Sequence, residues 1–237
     1  MLDFNSLDYR DRIIVAFDCD RARALELADM LEGHARWVKV GMTLFYQEGP
    51  AIVSELKQRG FKVFLDLKFH DIPHQVEGAA SSVASIGVDM LTMHAVGGVD
   101  MMKAAKAGLD KTNPQNEIAT LAVTVLTSMD KATLNATGVA GEVVDQIKNL
   151  ATQAKQAELS GVVASPHEAS MLRELLGPKA FIVTPGVRPK GASLDDQSRV
   201  MTPKEAFEQG ASHIVIGRPI TGAEDPCQAF ENIVEGL

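Results

Sequence analysis

Residues 63–73 read Val63-Phe64-Leu65-Asp66-Leu67-Lys68-Phe69-His70-Asp71-Ile72-Pro73. The first five positions are apolar save for one acid, which suits a strand buried on both faces, the habit of parallel sheets. Asp66 and Lys68 stand two apart and therefore share one face of that strand. A buried strand that turns charged towards its C-terminal end sets those charges where parallel α/β folds keep their binding sites.

Outward from this stretch, seven more short apolar runs rich in β-branched residues recur, at 13–17, 37–40, 90–93, 118–126, 162–164, 181–184 and 213–216. Helical patterns lie between them. Residues 21–31 place Leu25, Ala28 and Leu31 on one face behind Asp20 as N-cap. Residues 142–157 repeat the period with Val143, Val144, Ile147, Leu150, Ala151 and Ala154. Ser165-Pro166-His167-Glu168, Thr202-Pro203-Lys204-Glu205 and Asp225-Pro226-Cys227-Gln228 each put a capping oxygen first, proline at the first helical position and Glu or Gln at the third. Strand and helix alternate eight times with no linker or internal repeat, which predicts a closed (β/α)8 TIM barrel, α/β class, with residues 1–237 as a single domain. A doubly wound open sheet is the runner-up.

The bulk chemistry narrows the function. The 237 residues are 46% hydrophobic and 23% charged, with a net charge of −8, which argues against nucleic-acid or anionic-membrane partners and requires any anionic ligand to be held locally. The two cysteines, Cys19 and Cys227, have neither metal-ligand spacing nor the number for a disulfide framework. The start MLDFNSLDYRDR lacks the basic and apolar regions of a signal peptide, and no apolar stretch reaches the length of a membrane span. A cytoplasmic protein is expected.

Three places carry candidate chemistry. Lys68, flanked by Asp66 and after a turn by Asp71, is an ammonium among carboxylates that favour its charged form. Burying three charges for stability alone is a poor trade, because desolvation can cancel the Coulomb gain. Asp18, ending the first strand, and Lys39, on the second, extend this set to an alternating ring of acid and base across three strands. The third place is near the C-terminus. Gly217-Arg218 follows the last strand, and Thr184-Pro185-Gly186-Val187-Arg188-Pro189 opens a loop of about fifteen residues, longer than ordinary βα loops. In (β/α)8 barrels these two loops often grip phosphate, so Arg188, Gln197 and Arg199 read as a lid and Arg218 as a fork for phosphate oxygens. His94 reads either as a polar barrel residue or as a proton-transfer group; His213, His34 and His167 read as peripheral or structural.

The segments Ala16-Phe17-Asp18, Val38-Lys39-Val40-Gly41, Asp66 to Pro73, Thr184-Pro185-Gly186-Val187-Arg188 and Ile216-Gly217-Arg218-Pro219-Ile220 together resemble the bacterial type of the orotidine 5′-phosphate decarboxylase family, over nearly the whole chain. The resemblance implies decarboxylation of orotidine 5′-monophosphate to uridine 5′-monophosphate with no metal or organic cofactor. It implies Lys68 as proton donor with Asp66 and Asp71 beside it, in a homodimer whose Asp71 reaches the neighbouring subunit's site. It further implies Asp18 and Lys39 at the ribose, Thr127 near the pyrimidine, Ile72 among the substrate contacts, and Arg188, Gln197, Gly217 and Arg218 at the phosphate and lid. The chain departs from the family pattern at His74-Gln75, where many relatives have Asn-Thr. Competing readings are a metal-dependent sugar-phosphate decarboxylase or aldol-type synthase, a Schiff-base aldolase using a strand lysine, and a nucleotide-binding barrel without catalysis.

Overall fold

Eight parallel strands close on themselves in chain order, each paired with its sequence neighbours and β1 with β8. In the computed structural model, which describes residues 4–112, 118–189 and 201–237, they are β1 Ile13–Phe17, β2 Trp37–Gly41, β3 Lys62–Phe69, β4 Met90–His94, β5 Ala119–Val123, β6 Gly161–Val163, β7 Phe181–Thr184 and β8 His213–Ile216. This is the (β/α)8 barrel that the alternation predicts. The first, seventh and eighth strands start and end where the apolar runs do. The fifth stops three residues short of its run: Val125 and Leu126 have left the ladder and line a cavity instead.

The α-helices among the described residues are α1 Arg21–Leu31, α2 Met42–Glu48, α3 Pro50–Gln58, α4 Pro73–Ala84, α5 Gly98–Thr112, α6 Lys131–Ala136, α7 Val143–Gln156, α8 Ala169–Leu176, α9 Pro203–Glu208, α10 Arg218–Thr221 and α11 Pro226–Glu235. Their starts follow local chemistry. Asp20 accepts from the Arg23 N–H at 2.9 Å, Asp225 from that of Gln228 at 2.9 Å, and Thr202 with Glu205 forms a complete capping box. Ser165 instead begins a 3-10 turn, Pro166–Glu168, before α8.

The alternation of each strand sorts its residues into two cores. Ile13, Val15, Val38, Val40, Val63, Leu65, Leu91 and Ile214 face the helices. Ile14, Ala16, Trp37, Phe64, Met90, Leu121, Val183 and Val215 fill the barrel interior. Each fully buried aliphatic or aromatic side chain contributes about 1.5–3 kcal/mol by leaving water. Gly161 has a packing reason for being glycine: a Cβ there would lie 1.9 Å from the Phe181 carbonyl oxygen on β7. No helix among the described residues is long and apolar enough to cross a membrane.

Candidate active site

The inward row of β2 continues from Trp37 to Lys39, and that of β3 from Phe64 to Asp66, so both charged groups stand above the apolar filling at the C-terminal mouth. Lys39 Nζ lies 2.7 Å from Asp18 Oδ1 and 3.7 Å from Asp66 Oδ2. Lys68 Nζ lies 2.9 and 3.0 Å from the two oxygens of Asp66. The four charges therefore alternate along one line, Asp18, Lys39, Asp66, Lys68. The outer end of the line is in water and its middle is buried: the side chains are 62% exposed at Asp18, 10% at Lys39, 13% at Asp66 and 26% at Lys68. Burial alone would raise the Asp66 carboxyl, but the charges of Lys39 and Lys68 and hydrogen bonds from Lys68 and Thr92 outweigh it and hold the group below the usual range. Gly41, one step beyond on β2, leaves the space for this pair, since a Cβ there would sit 2.9 Å from Asp18 Oδ1 and 3.0 Å from Lys39 Nζ.

Lys68 does not reach Asp66 by simple alternation. Its φ is 54°, left-handed for a residue with a side chain, and the β3–β4 register shifts between Leu65 and Phe69. The other such residue among those described, Glu158, follows α7 as an ordinary helix terminator. Lys68 ends no helix, and holding it there costs about 1–3 kcal/mol, a strain of the kind that collects at working sites. Thr92, fully buried on β4, donates from Oγ1 to Asp66 Oδ1 at 2.9 Å and accepts the Lys68 N–H at 3.0 Å. A threonine in an apolar run gives little sign of this in sequence, and the sequence reading passes over it.

Beside the Lys68 ammonium is a cavity of about 190 Å³ lined by Lys39, Asp66, Lys68 and Thr127 with apolar walls that include Phe64, Val125 and Val215. A cation in contact with an apolar wall and a carboxylate can stabilise a negative charge that develops there and donate a proton to it. His94 ends β4 half-buried, its ring 5.5 Å from that of His70. Burial, then His70 and Lys68, lower its basicity, so it is neutral in this structure near neutral pH.

The other expected residues are spread around the mouth. Asp71 is exposed; its carboxylate accepts from the Ile72 N–H at 2.7 Å, and among the described residues it forms no ion pair with Lys68 of its own chain. The flanking of Lys68 by both acids expected from spacing is thus met within the chain by Asp66 alone, because Asp71 lies past the strand end, in the turn before α4. Ile72 is exposed. Arg188 is buried and its N–H bonds to the Met201 carbonyl at 3.0 Å. Gly217 caps the short helix α10, and Arg218, its first residue, is exposed. Gln197 and Arg199 lie outside the described residues. His213 is buried at the opposite end of the barrel.

Known proteins share both sequence and shape. The profile of the Orotidine 5′-phosphate decarboxylase / HUMPS family matches residues 11–233. The orotidine 5′-phosphate decarboxylase of Nitrosococcus oceani is 48% identical over 225 residues, 94% of this chain and 96% of its own. That of Moorella thermoacetica is 50% identical over 229 residues, 94% and 91% of the two chains. The crystal structure of orotidine 5′-phosphate decarboxylase from Lactobacillus acidophilus matches with a TM-score of 0.85 at 41% identity, covering 95% of this chain and 98% of that one. The chain belongs to the orotidine 5′-phosphate decarboxylase / HUMPS family.

Proposed function

We propose that this chain is an orotidine 5′-phosphate decarboxylase, a carboxy-lyase that forms uridine 5′-monophosphate and CO2 in the last step of pyrimidine nucleotide synthesis, with no metal or organic cofactor. The family description carries two names, and the relatives of about half identity bear the first. The observation that carries the chemistry is the Lys68 ammonium, fixed by Asp66 at 2.9 Å against the apolar-walled cavity.

In this reading the bond from C6 of the pyrimidine to its carboxylate breaks and its electron pair stays on C6. The resulting in-plane carbanion gains nothing from the ring carbonyls by ordinary delocalisation, so a cation must already stand beside it. Lys68 provides the charge, then gives one Nζ proton to C6 and regains it from solvent; one proton is consumed per CO2 released. The fixed ion pairs need no reorganisation as charge develops. Asp18 and Lys39 would hold the ribose and Thr127 the pyrimidine. Arg188, Gln197, Gly217 and Arg218 would take the phosphate, whose remote binding energy positions the base.

The active unit is read as a homodimer of single-domain chains spanning residues 1–237, in the cytoplasm. Met42 and Tyr46 on α2, Ile72 before α4, Val96 after β4 and Leu126 after β5 are large apolar side chains left exposed, all on segments that follow the C-terminal ends of β2 to β5. A second subunit on that rim would cover them and bring its own Asp71 and Ile72 to the neighbouring mouth.

The test is loss of orotidine 5′-monophosphate absorbance with purified protein in excess chelator, wild type against Lys68→Ala. Wild type should turn over there and the variant should be slower by at least about 10⁴-fold, since charge stabilisation and proton donation are lost together. A wild type silent in chelator, or a variant as fast, defeats this reading.

A further inference from the structure

We propose that Thr92 is a positioning residue for this reaction, its buried hydroxyl tying the backbone of Lys68 and the carboxylate of Asp66 into one unit. The inference rests on the reading of Lys68 as proton donor.

The register makes the case. Leu65 faces Leu91 and Phe69 faces Met93, so β3 advances four residues while β4 advances two. Thr92 is the single β4 residue opposite Asp66, Leu67 and Lys68. A bulge of this kind leaves backbone groups without ladder partners, and the left-handed φ of Lys68 falls within it. The Lys68 N–H finds Thr92 Oγ1 at 3.0 Å in place of a strand carbonyl. An amide only donates, so the hydroxyl accepts there and its one proton goes to Asp66 Oδ1, at 2.9 Å. The same oxygen receives Lys68 Nζ at 2.9 Å. Backbone N–H, hydroxyl, carboxylate and ammonium thus close a loop that begins and ends on Lys68.

A strand carbonyl could satisfy the amide but has no proton for Asp66. A valine of the same shape satisfies neither. Threonine does both, and its branched Cβ restricts χ1 so that the hydroxyl is held in one place. The groups facing Asp66 are Lys39 from β2, Lys68 from β3 itself and Thr92 from β4, with Asp18 from the end of β1 reaching it through Lys39 and His94 next on the inward row of β4. Thr92 carries no charge, so its removal alters geometry and hydrogen bonding without altering the charge count.

The experiment compares full-length wild type, Thr92→Val and Thr92→Ser by steady-state kinetics and by ¹³C titration of the Asp66 carboxyl. A displacement of about 1 Å at a reacting group costs about 10²-fold, so Thr92→Val should lose that much in kcat while KM stays within about threefold and the Asp66 midpoint rises. Thr92→Ser, which keeps the hydroxyl, should remain within about fivefold of wild type, with the Asp66 midpoint in place. A Val variant with wild-type kcat and an unmoved Asp66, or a Ser variant that falls with it, overturns the proposal. If Thr92→Val does not fold, Thr92→Ala against Thr92→Ser makes the same comparison. A wild type without turnover defeats the decarboxylase reading, while the carboxyl titration still decides the role of Thr92.

Discussion

The two ends of the barrel bury polar groups on opposite terms. At the C-terminal mouth the inward rows finish in full charges, Lys39 and Asp66, joined to Asp18 and Lys68 by ion pairs of 2.7–3.7 Å. At the N-terminal end the inward polar group is His213, stacked on Phe181 at 5.3 Å and met edge-on by Phe4 and Trp37. Burial, then the nearby cations Arg12 and Lys62, push its pKa down to about 3, so the imidazole that fills this end stays neutral. Arg12 turns its guanidinium to the Ser212 and Ala211 carbonyls at 3.0 and 2.9 Å and lies against the Phe207 ring. Desolvated charge kept in contact with a cavity is poor value as stabilisation; neutral aromatic packing is the cheaper filling. The difference separates the end of the barrel to which we assign the chemistry from the end that holds it closed.

Removing Lys39 should damage the charged end most. In Lys39→Met, Asp18 and Asp66 lose their shared cation, and the buried Asp66 keeps Lys68 and the Thr92 hydroxyl as its partners. The charge of Lys39 helps hold the Asp66 carboxyl down, so without it Asp66 keeps its proton to higher pH. Steady-state assays across pH should show kcat/KM lower by about 10²–10³-fold and its acid limb moved upward; an unmoved limb breaks the link between Lys39 and Asp66.

His213→Phe probes the neutral end. The folded state keeps His213 deprotonated far below histidine's ordinary 6.5, so its contribution to stability is complete above that pH and is lost as pH falls from 6.5 towards 3. Wild type should lose about 2 kcal/mol between pH 7 and pH 5 through this group, which the phenylalanine variant would not. Thermal melts at the two pH values measure it, with kcat at pH 7 within about twofold of wild type. An activity loss comparable with that of Lys39→Met would erase the distinction between the ends.

Gly41→Ala is the mildest intrusion on the charged end. The backbone there accepts a side chain, but the new methyl displaces the Asp18–Lys39 pair. A rise in KM of about tenfold, with Tm lower by only a few degrees, is expected, because only the far ends of two side chains must move.

The sequence carried the architecture further than the site. Apolar runs between capped helices are enough to count the strands, and the Asp20, Thr202 and Asp225 caps mark helix starts to the residue. An apolar run cannot say where pairing stops, so Val125 and Leu126 read as strand although they wall the cavity. Gly49, with φ 64°, divides the segment after β2 into α2 and α3, a break that periodicity alone does not expose. In the site, the charges were legible because acids and bases on buried strands are conspicuous. Thr92 was silent because threonine is at home in any strand. The bulge at Lys68 was silent because strand alternation assumes regular pairing, and that assumption still brought Lys68 to Asp66, by a different backbone route.

Trp37 lies buried in the lower barrel, edge-on to His213 at 5.8 Å and beneath Lys62 Nζ at 5.2 Å, and it is the chain's one tryptophan. The molecule's indole emission therefore originates at the end remote from the charged mouth. It is a built-in optical reporter on the state of the barrel floor, separate from whatever occupies the rim above Lys39 on the same strand.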